Sequence, residues 1–307
     1  MHEIGFDNPW LKAVEVARRR VPAWAAAVIA TVLATGLVWA GSKAAGLAVR
    51  AADPAIFRGL GGKIGLQAAF YAAAFGPLWL CVWAIKRFWE VRPGLVGGWP
   101  ALGGLALGLP LGTGGFAAVA GVAALAGAVM HGASSAVGAA AAVGVAASVL
   151  IFAFQAGAEE YVFRGWLQPL LCARWGAWVG LISTAVIFAA VHLVGGARSP
   201  LTLVNLLLAG LLFGLLALRT GGLWAPLAAH WGWNWMEASG LGLEPDPGVG
   251  PLGALADFDL RGRALWSGGA DHLNGSLAET LVLLGLTGLF VVWGRKQRPA
   301  AAPSSSA

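Results

Sequence analysis

Residues 143–174 read VGVAASVLIFAFQAGAEEYVFRGWLQPLLCAR and combine a long apolar run with a pair of adjacent acids. Residues 143–158 contain no charged side chain, and Glu159, Glu160 and Arg164 follow directly. A helix needs about 20 residues to cross the hydrocarbon core of a bilayer, which is ~30 Å thick. If this helix continues to about Arg174, the acid pair lies well inside the membrane. The stretch therefore predicts a transmembrane helix that carries charge in its interior.

The rest of the chain has the same apolar character. Hydrophobic residues make up 58% of the 307 residues and charged residues only 11%, against about 25% charged residues in soluble domains. Only helices or closed barrels satisfy backbone groups in lipid, and the apolar runs have helical length. We therefore predict an all-α, polytopic transmembrane helical bundle of about eight spans. The predicted spans are 22–41, 64–85, 101–129, 143–174, 176–195, 200–218, 222–240 and 276–294.

These spans divide the chain into segments. Residues 1–21 form an N-terminal cytoplasmic or interfacial segment, in which 9–20 is either a short helix at the headgroups or a solvated lead-in. Residues 22–130 hold the N-terminal spans, and the glycine-rich third span is interpreted as a packing helix. Residues 131–240 hold the polar motifs described below. A polar loop at 241–275, a last span at 276–294 and a disordered tail at 295–307 complete the chain.

The net charge of +6 is spread along the chain and does not form a basic stripe, so it indicates membrane topology and no nucleic-acid partner. One side of the predicted membrane holds Lys12, Arg18, Arg19, Arg20, Lys86, Arg87, Arg92, Arg174, Arg219, Arg295, Lys296 and Arg298. The other side holds fewer: Lys43, Arg50, Arg58, Lys63, Arg198, Arg261 and Arg263. The positive-inside rule then places both termini in the cytoplasm, with the protein in a bacterial cell membrane. Cys81 and Cys172 are interpreted as packing residues.

Three polar motifs stand out in the late spans. Glu159 and Glu160 precede Arg164, His192 ends an apolar run, and His230 lies four residues before Asn234. Glu160 lies 15 residues before a predicted turn near Trp175 and His192 lies 17 residues after it, which is about 22–26 Å along each helix. His230 and Asn234 lie about 14 and 20 Å from a turn near Gly221 on the same side. Helix geometry therefore predicts that the motifs meet at one depth.

Such a cluster can hydrolyse an amide. A carboxylate beside an imidazole can deprotonate a water, and a second imidazole with a carboxamide can donate hydrogen bonds to a developing oxyanion. Arg164 can orient one carboxylate. The motifs contain no serine or cysteine nucleophile. The residues therefore favour an activated-water endopeptidase.

The motifs Glu159-Glu160-x-x-x-Arg164, Phe188-x-x-x-His192 and His230-x-x-x-Asn234 resemble the CPBP family of intramembrane proteases over about 143–240. This family includes CAAX prenyl endopeptidases and bacterial abortive-infection-type proteins. The resemblance implies that Glu159 and His192 activate the water and that His230 and Asn234 form the oxyanion site. It also implies that Glu160 and Arg164 support them, and that the substrate is a membrane protein or a lipid-modified peptide.

Other interpretations remain open at this stage. Glu159, His192 and His230 could ligate a catalytic zinc ion, although we favour a metal-free site because the sequence has no HExxH motif. The charged residues could be a buried ion pair that fixes helix packing, and the tryptophans around His230 could be an interfacial belt. The cluster could also serve a proton-coupled or ion transporter. A non-catalytic family member acting as an immunity or scaffold factor is a further alternative.

Overall fold

Eight helices, of 12 to 38 residues, overlap the eight predicted spans in the described part of the chain. The computed structural model describes residues 22–88, 99–195, 199–243 and 249–296. The helices are α1 (Ala23–Ala51), α2 (Gly59–Phe88), α3 (Trp99–Leu125), α4 (Gly138–Trp175), α5 (Ala177–Gly195), α6 (Pro200–Thr220), α7 (Trp224–Trp235) and α8 (Leu277–Lys296). The prediction of an all-α transmembrane bundle is confirmed. The predicted N-terminal segment 1–21 and the tail from 297 onward lie outside the described residues.

Six of the helical segments are long and apolar enough to cross a membrane within the described ranges: α1, α2, α3, α4, α6 and the segment Gly269–Val292 that contains α8. The apolar part of α5 is shorter, Ala177–Leu193. A π-helical turn, Met236–Gly240, extends α7. The chain is therefore an integral membrane protein.

The eight helices alternate in direction, so the bundle has two distinct ends. We call the end with the α4–α5 and α6–α7 connections the turn end. Its connections use Gly176 (φ 80°) and Gly221 (φ 71°), whose backbones lie in the region that favours glycine. We call the opposite end, which holds residues 126–137 and 249–275, the loop end.

The loop end is folded where the structure describes it. Strand β1 (Val129–His131) pairs antiparallel with strand β2 (Phe258–Leu260). Beside the strands, the Asp257 carboxylate accepts a 2.6 Å hydrogen bond from the Ser134 backbone amide. The predicted polar loop 241–275 therefore contains a strand, a one-turn helix (Ala264–Ser267) and a 3-10 segment (Gly269–Gly275). The third span was predicted to reach 129, but α3 ends at Leu125 because the chain turns at Gly127 (φ 74°) and then enters β1.

The glycine-rich helix α3 packs directly on α7. A Cβ atom at Gly108 would overlap the carbonyl of Ala225, and one at Gly112 would overlap the carbonyl of Ala229. By contrast, Gly114 has nothing within 4 Å of a built Cβ. Small residues at a helix contact let backbones approach closely in a membrane. The interpretation of the third span as a packing helix is therefore confirmed, and its partner is the helix that carries His230.

We expect Gly112→Leu to destabilise the protein more than Gly114→Leu. The first substitution forces a side chain into the α3–α7 contact, which costs about 1–3 kcal/mol by overpacking. The second puts the same side chain on the same helix into open space. Thermal unfolding in detergent would compare the two variants, and equal midpoints would contradict the packing described for α3 and α7.

Two side chains of α4 attach this helix to the backbone of α6. Arg164 Nη2 donates to the carbonyl of Gly210 at 3.0 Å, and Gln168 Nε2 donates to the carbonyl of Gly214 at 2.9 Å. Arg164 belongs to a second π-helical turn, Phe163–Leu167. Turns of this kind often occur at functional sites. The clamp fixes the rotation of α4, and thereby the direction in which its two glutamates point.

Candidate active site

The innermost part of the site is a buried triad of charged and polar side chains. Glu160 Oε1 accepts a hydrogen bond from Arg164 Nη1 at 2.7 Å and lies 2.9 Å from His230 Nδ1. Glu160 and Arg164 are completely buried, and His230 is nearly so. Because a carboxylate is an acceptor, this contact requires His230 to carry a proton on Nδ1. Glu160 therefore sets the orientation and the protonated nitrogen of His230.

Aromatic rings enclose this triad. The guanidinium carbon of Arg164 lies 4.7 Å from the ring centre of Phe188 and 5.5 Å from that of Phe213. The His230 ring stacks on Phe213, with the ring centres 5.0 Å apart. A cation over a ring face is attracted by the ring quadrupole, and more strongly where water is excluded. The rings thus keep water away from the ion pair and hold the His230 plane in place.

Glu159 and His192 form a second, more accessible pair. Glu159 Oε2 lies 3.9 Å from His192 Nε2, and the two side chains are 13% and 32% exposed. His192 Nδ1 lies 2.7 Å from the carbonyl of Phe188, so it must carry the proton and donate this hydrogen bond. In the neutral ring, the lone pair of Nε2 is then available next to Glu159. Two acceptors at this separation can both bind one water molecule.

Asn234 completes the set of predicted residues. It lies one helical turn after His230 on α7 and is half-buried. Its carboxamide makes no hydrogen bond with the described residues. The tryptophans around it pack inward: Trp233 is buried against Phe116, and Trp235 Nε1 donates to Ser148 Oγ at 3.1 Å. These contacts do not support the belt interpretation for Trp233 and Trp235.

The structure therefore divides the predicted residues into two groups. Glu160, Arg164 and His230 form a dry triad, whereas Glu159 and His192 face each other in a more exposed position. Asn234 lies on α7, which contacts the helix that carries Glu159 through the hydrogen bond from Trp235 to Ser148. The ion-pair interpretation holds for Glu160 with Arg164 and leaves Glu159 outside that pair. Among the described residues, no three His, Cys, Asp or Glu side chains are grouped closely enough to hold a metal ion.

Sequence reasoning missed several side chains that contact the site. Gln155 Nε2 donates to Glu159 Oε1 at 3.4 Å, and Phe213 and Gln168 support His230 and α4 as described above. Gln155 could have been found, because it is one of two polar residues, with Ser148, in the apolar run before Glu159 and lies one turn away from Glu159. Phe213 carries no such signal, because it is one of many apolar residues of α6.

Comparison with known proteins addresses the same segment. The family model described as "Type II CAAX prenyl endopeptidase Rce1-like" matches residues 140–236. We call the matched segment, which is similar to this family, the Rce1-like domain. The domain contains all six predicted site residues and lies within the range over which the CPBP motifs were recognised, apart from a few residues at its start.

One curated relative matches the chain over a short stretch. The chain is 36% identical over 95 residues to an uncharacterized 24.3 kDa protein of Escherichia coli. This match covers 30% of the present chain and spans 41% of that protein's length. No solved structure matches the chain. The Rce1-like domain spans almost all of α4 and the whole of α5, α6 and α7, whereas α1, α2, α3 and α8 lie outside the match.

Proposed function

We propose that the protein is an intramembrane endopeptidase that hydrolyses a peptide bond with a water activated by Glu159 and His192. The observation that carries the proposal is the geometry of this pair. Two acceptor atoms, Oε2 and Nε2, face each other at 3.9 Å, and the Phe188 carbonyl fixes the ring of the histidine. Both side chains are partly exposed, and a buried ion pair supports them from behind. The Rce1-like domain supports the same class of reaction.

The reaction begins with a water that donates to both acceptors. Its oxygen attacks the carbonyl carbon of the scissile bond while one proton passes to the Glu159 carboxylate. The tetrahedral intermediate then collapses, the C–N bond breaks, and Glu159 returns the proton to the leaving amine. His192 Nε2 orients the water throughout through the second hydrogen. Gln155 holds the other oxygen of Glu159, which aligns the carboxylate for both transfers.

Asn234 and His230 would stabilise the oxyanion. The Asn234 amide has no partner among the described residues and so can donate to the substrate oxygen. His230 carries one proton on Nδ1 for Glu160, so Nε2 becomes a donor only when the ring is an imidazolium. Glu160 and Arg164 are thus positioning residues that act through His230.

Substitution of Asn234 should lower kcat and leave KM nearly unchanged. Removing one donor from an oxyanion site costs about 10²–10³ in kcat, because the hydrogen bond matters most in the transition state. We expect this loss for Asn234→Ala and for the isosteric Asn234→Asp, which replaces the amide donor by an acceptor. Steady-state kinetics on a cleaved peptide would test this. An unchanged kcat in both variants would remove Asn234 from the proposed mechanism.

We further propose that the reaction needs no metal ion. The support is the spacing of the candidate ligands, because no three His, Cys, Asp or Glu side chains of the described residues are grouped closely enough to hold a metal ion. Cleavage should therefore survive dialysis against EDTA, and elemental analysis of the active protein should show less than one zinc per chain. A loss of activity that added zinc restores would instead assign Glu159, His192 and His230 as ligands.

We propose that the substrate is a membrane protein or a lipid-modified peptide in a bacterial cell membrane, with both termini of the enzyme in the cytoplasm. The direct test is turnover of a panel of membrane-anchored peptides by the purified protein in nanodiscs.

The structure supports a transporter less well. Arg164, Gln168 and Leu171 lie on α4 between the candidate site and the turn end, and because they are fully buried they leave no open path along α4 to that end. Proton flux in liposomes without peptide cleavage would favour the transporter over our proposal.

A further inference from the structure

A cavity of about 150 Å³ lies near the loop end, between α2, α4 and the segment after α7. The turn at residues 250–253 lines it as well. Its walls are mainly apolar, with amide and hydroxyl groups from Gln67 and Ser239. The lining side chains used below are Gln67 and Tyr71 of α2, Ile151 and Phe152 of α4, and Ala238 and Ser239 after α7.

The cavity and the candidate active site share a face on α4. Ile151, Gln155 and Glu159 follow one another at intervals of four residues, and such residues lie on the same side of a helix. Gln155 links the two ends, because it donates to Glu159 Oε1. Ile151 and Glu159 are separated by eight residues, which corresponds to about 12 Å along the helix.

The helix α7, which runs in the opposite direction, also leads from the site to the cavity. His230 and Asn234 lie four residues apart on α7, and Ala238, in the π-helical turn that follows, lines the cavity. Trp235 of α7 donates to Ser148 of α4, one turn before Ile151, so the two helices are in contact beside the cavity. The cavity lining itself contains no candidate site residue, but both lie along the same two helical segments. We call the stretch between α4 and α7 that runs from the cavity to the candidate active site the cleft.

The catalytic pair is closed toward the turn end. Glu159, His192 and Asn234 are partly exposed, whereas Arg164, Gln168 and Leu171, which lie farther toward the turn end, are completely buried. On the loop-end side, Ser148 and Ile151 are buried as well, and the cavity is the open space described there.

We propose that this cavity binds one apolar side chain of the substrate, about four residues from the scissile bond. This rests on the proposed proteolytic function. An extended peptide advances about 3.3 Å per residue, so 12 Å corresponds to about four residues. Ile151 and Phe152 would contact a side chain of the size of Leu or Met, while Gln67 and Ser239 offer hydrogen bonds to the peptide backbone. The substrate class is thus an extended peptide with an apolar residue at that distance.

Filling the cavity should change specificity at one peptide position. The probe is a library of synthetic apolar peptides in detergent micelles, with products sequenced by mass spectrometry. We expect the wild type to prefer peptides with Leu or Met about four residues from the cleaved bond. In Gln67→Trp, the ratio of cleavage with Leu or Met to cleavage with Gly or Ala at that position should fall at least tenfold. The matched control is Leu80→Trp on the same helix, where the side chain is already 69% exposed. An unchanged profile in Gln67→Trp would overturn the proposal.

Cross-linking distinguishes failure of this proposal from failure of the proposed function. A photoreactive leucine in the peptide, about four residues from the scissile bond, should cross-link in a Glu159→Gln background to Ile151, Phe152 or Ala238, which line the cavity, and not to Leu80. Cross-linking at the cavity without any turnover by the wild type would leave the peptide cleft in place and overturn proteolysis. Turnover without cross-linking at the cavity would overturn the cleft and leave proteolysis in place. Neither cross-linking nor turnover would overturn both.

Discussion

Glu159→Gln should lower kcat by about 10²–10⁴-fold and leave the fold intact. General-base catalysis contributes a factor of this size, and the amide of Gln cannot take a proton from water. The substitution keeps the shape of the side chain. It removes no buried ion pair, because Arg164 bonds to Glu160 and not to Glu159. Turnover of a cleaved peptide and the thermal midpoint in detergent would be measured on the same preparation.

Glu279→Gln is the matched control for this prediction. It makes the same isosteric change at a buried carboxyl, but on α8, outside the cleft between α4 and α7. We expect its kcat to stay within about twofold of the wild type. If Glu159→Gln kept the wild-type kcat, Glu159 would not be the base, and the accessible pair would need another explanation.

Arg164→Met should have the largest effect on stability, a loss of about 3–5 kcal/mol. The substitution retains apolar volume but leaves the Glu160 carboxylate buried with His230 as its remaining partner. It also removes the hydrogen bond to the Gly210 carbonyl that attaches α4 to α6. Unfolding of the purified protein in mixed micelles, followed by tryptophan fluorescence, would measure the loss.

Two further variants separate charge from packing in this experiment. Gln168→Met removes a comparable clamp one turn along α4 without exposing a charge, and we expect it to cost only about 1 kcal/mol. The double variant Glu160→Gln, Arg164→Met removes both charges, so it should recover part of the loss. If Arg164→Met were no worse than Gln168→Met, the ion pair would not be a main determinant of stability.

Much of this arrangement follows from the sequence through helix geometry. Hydropathy and length predict the eight helices, and counting residues from the turns predicts that Glu160, His192 and His230 meet at one depth. The spacing of Glu160 and Arg164 predicts their pairing, because residues four apart lie on one face. These predictions depend only on the regular repeat of a helix. Helices form in an apolar environment because they satisfy the hydrogen bonds of the backbone internally.

The remaining features depend on interactions that helix repeats do not determine. Adjacent residues point about 100° apart on a helix, so the choice between Glu159 and Glu160 as the partner of His230 is set by the rotation of α4. That rotation depends on the clamp to Gly210 and on the π-helical turn after Val162. The turn 250–253 that lines the cavity could not be predicted either, because a Gly- and Pro-rich sequence indicates a loop without its path.

The long-range hydrogen bonds of α6 also determine the order in which parts of the bundle can form during synthesis of the chain. Glu160 enters the membrane with its counterion on the same helix, four residues away. Asn205 has no such local partner. Its buried amide bonds to the Asn274 and Ser276 carbonyls and accepts from Thr280, up to 75 residues later. At about 5–20 residues per second of synthesis, Asn205 spends roughly 4–15 s without these partners. The last helix therefore completes the polar interior of a bundle whose other members are already inserted.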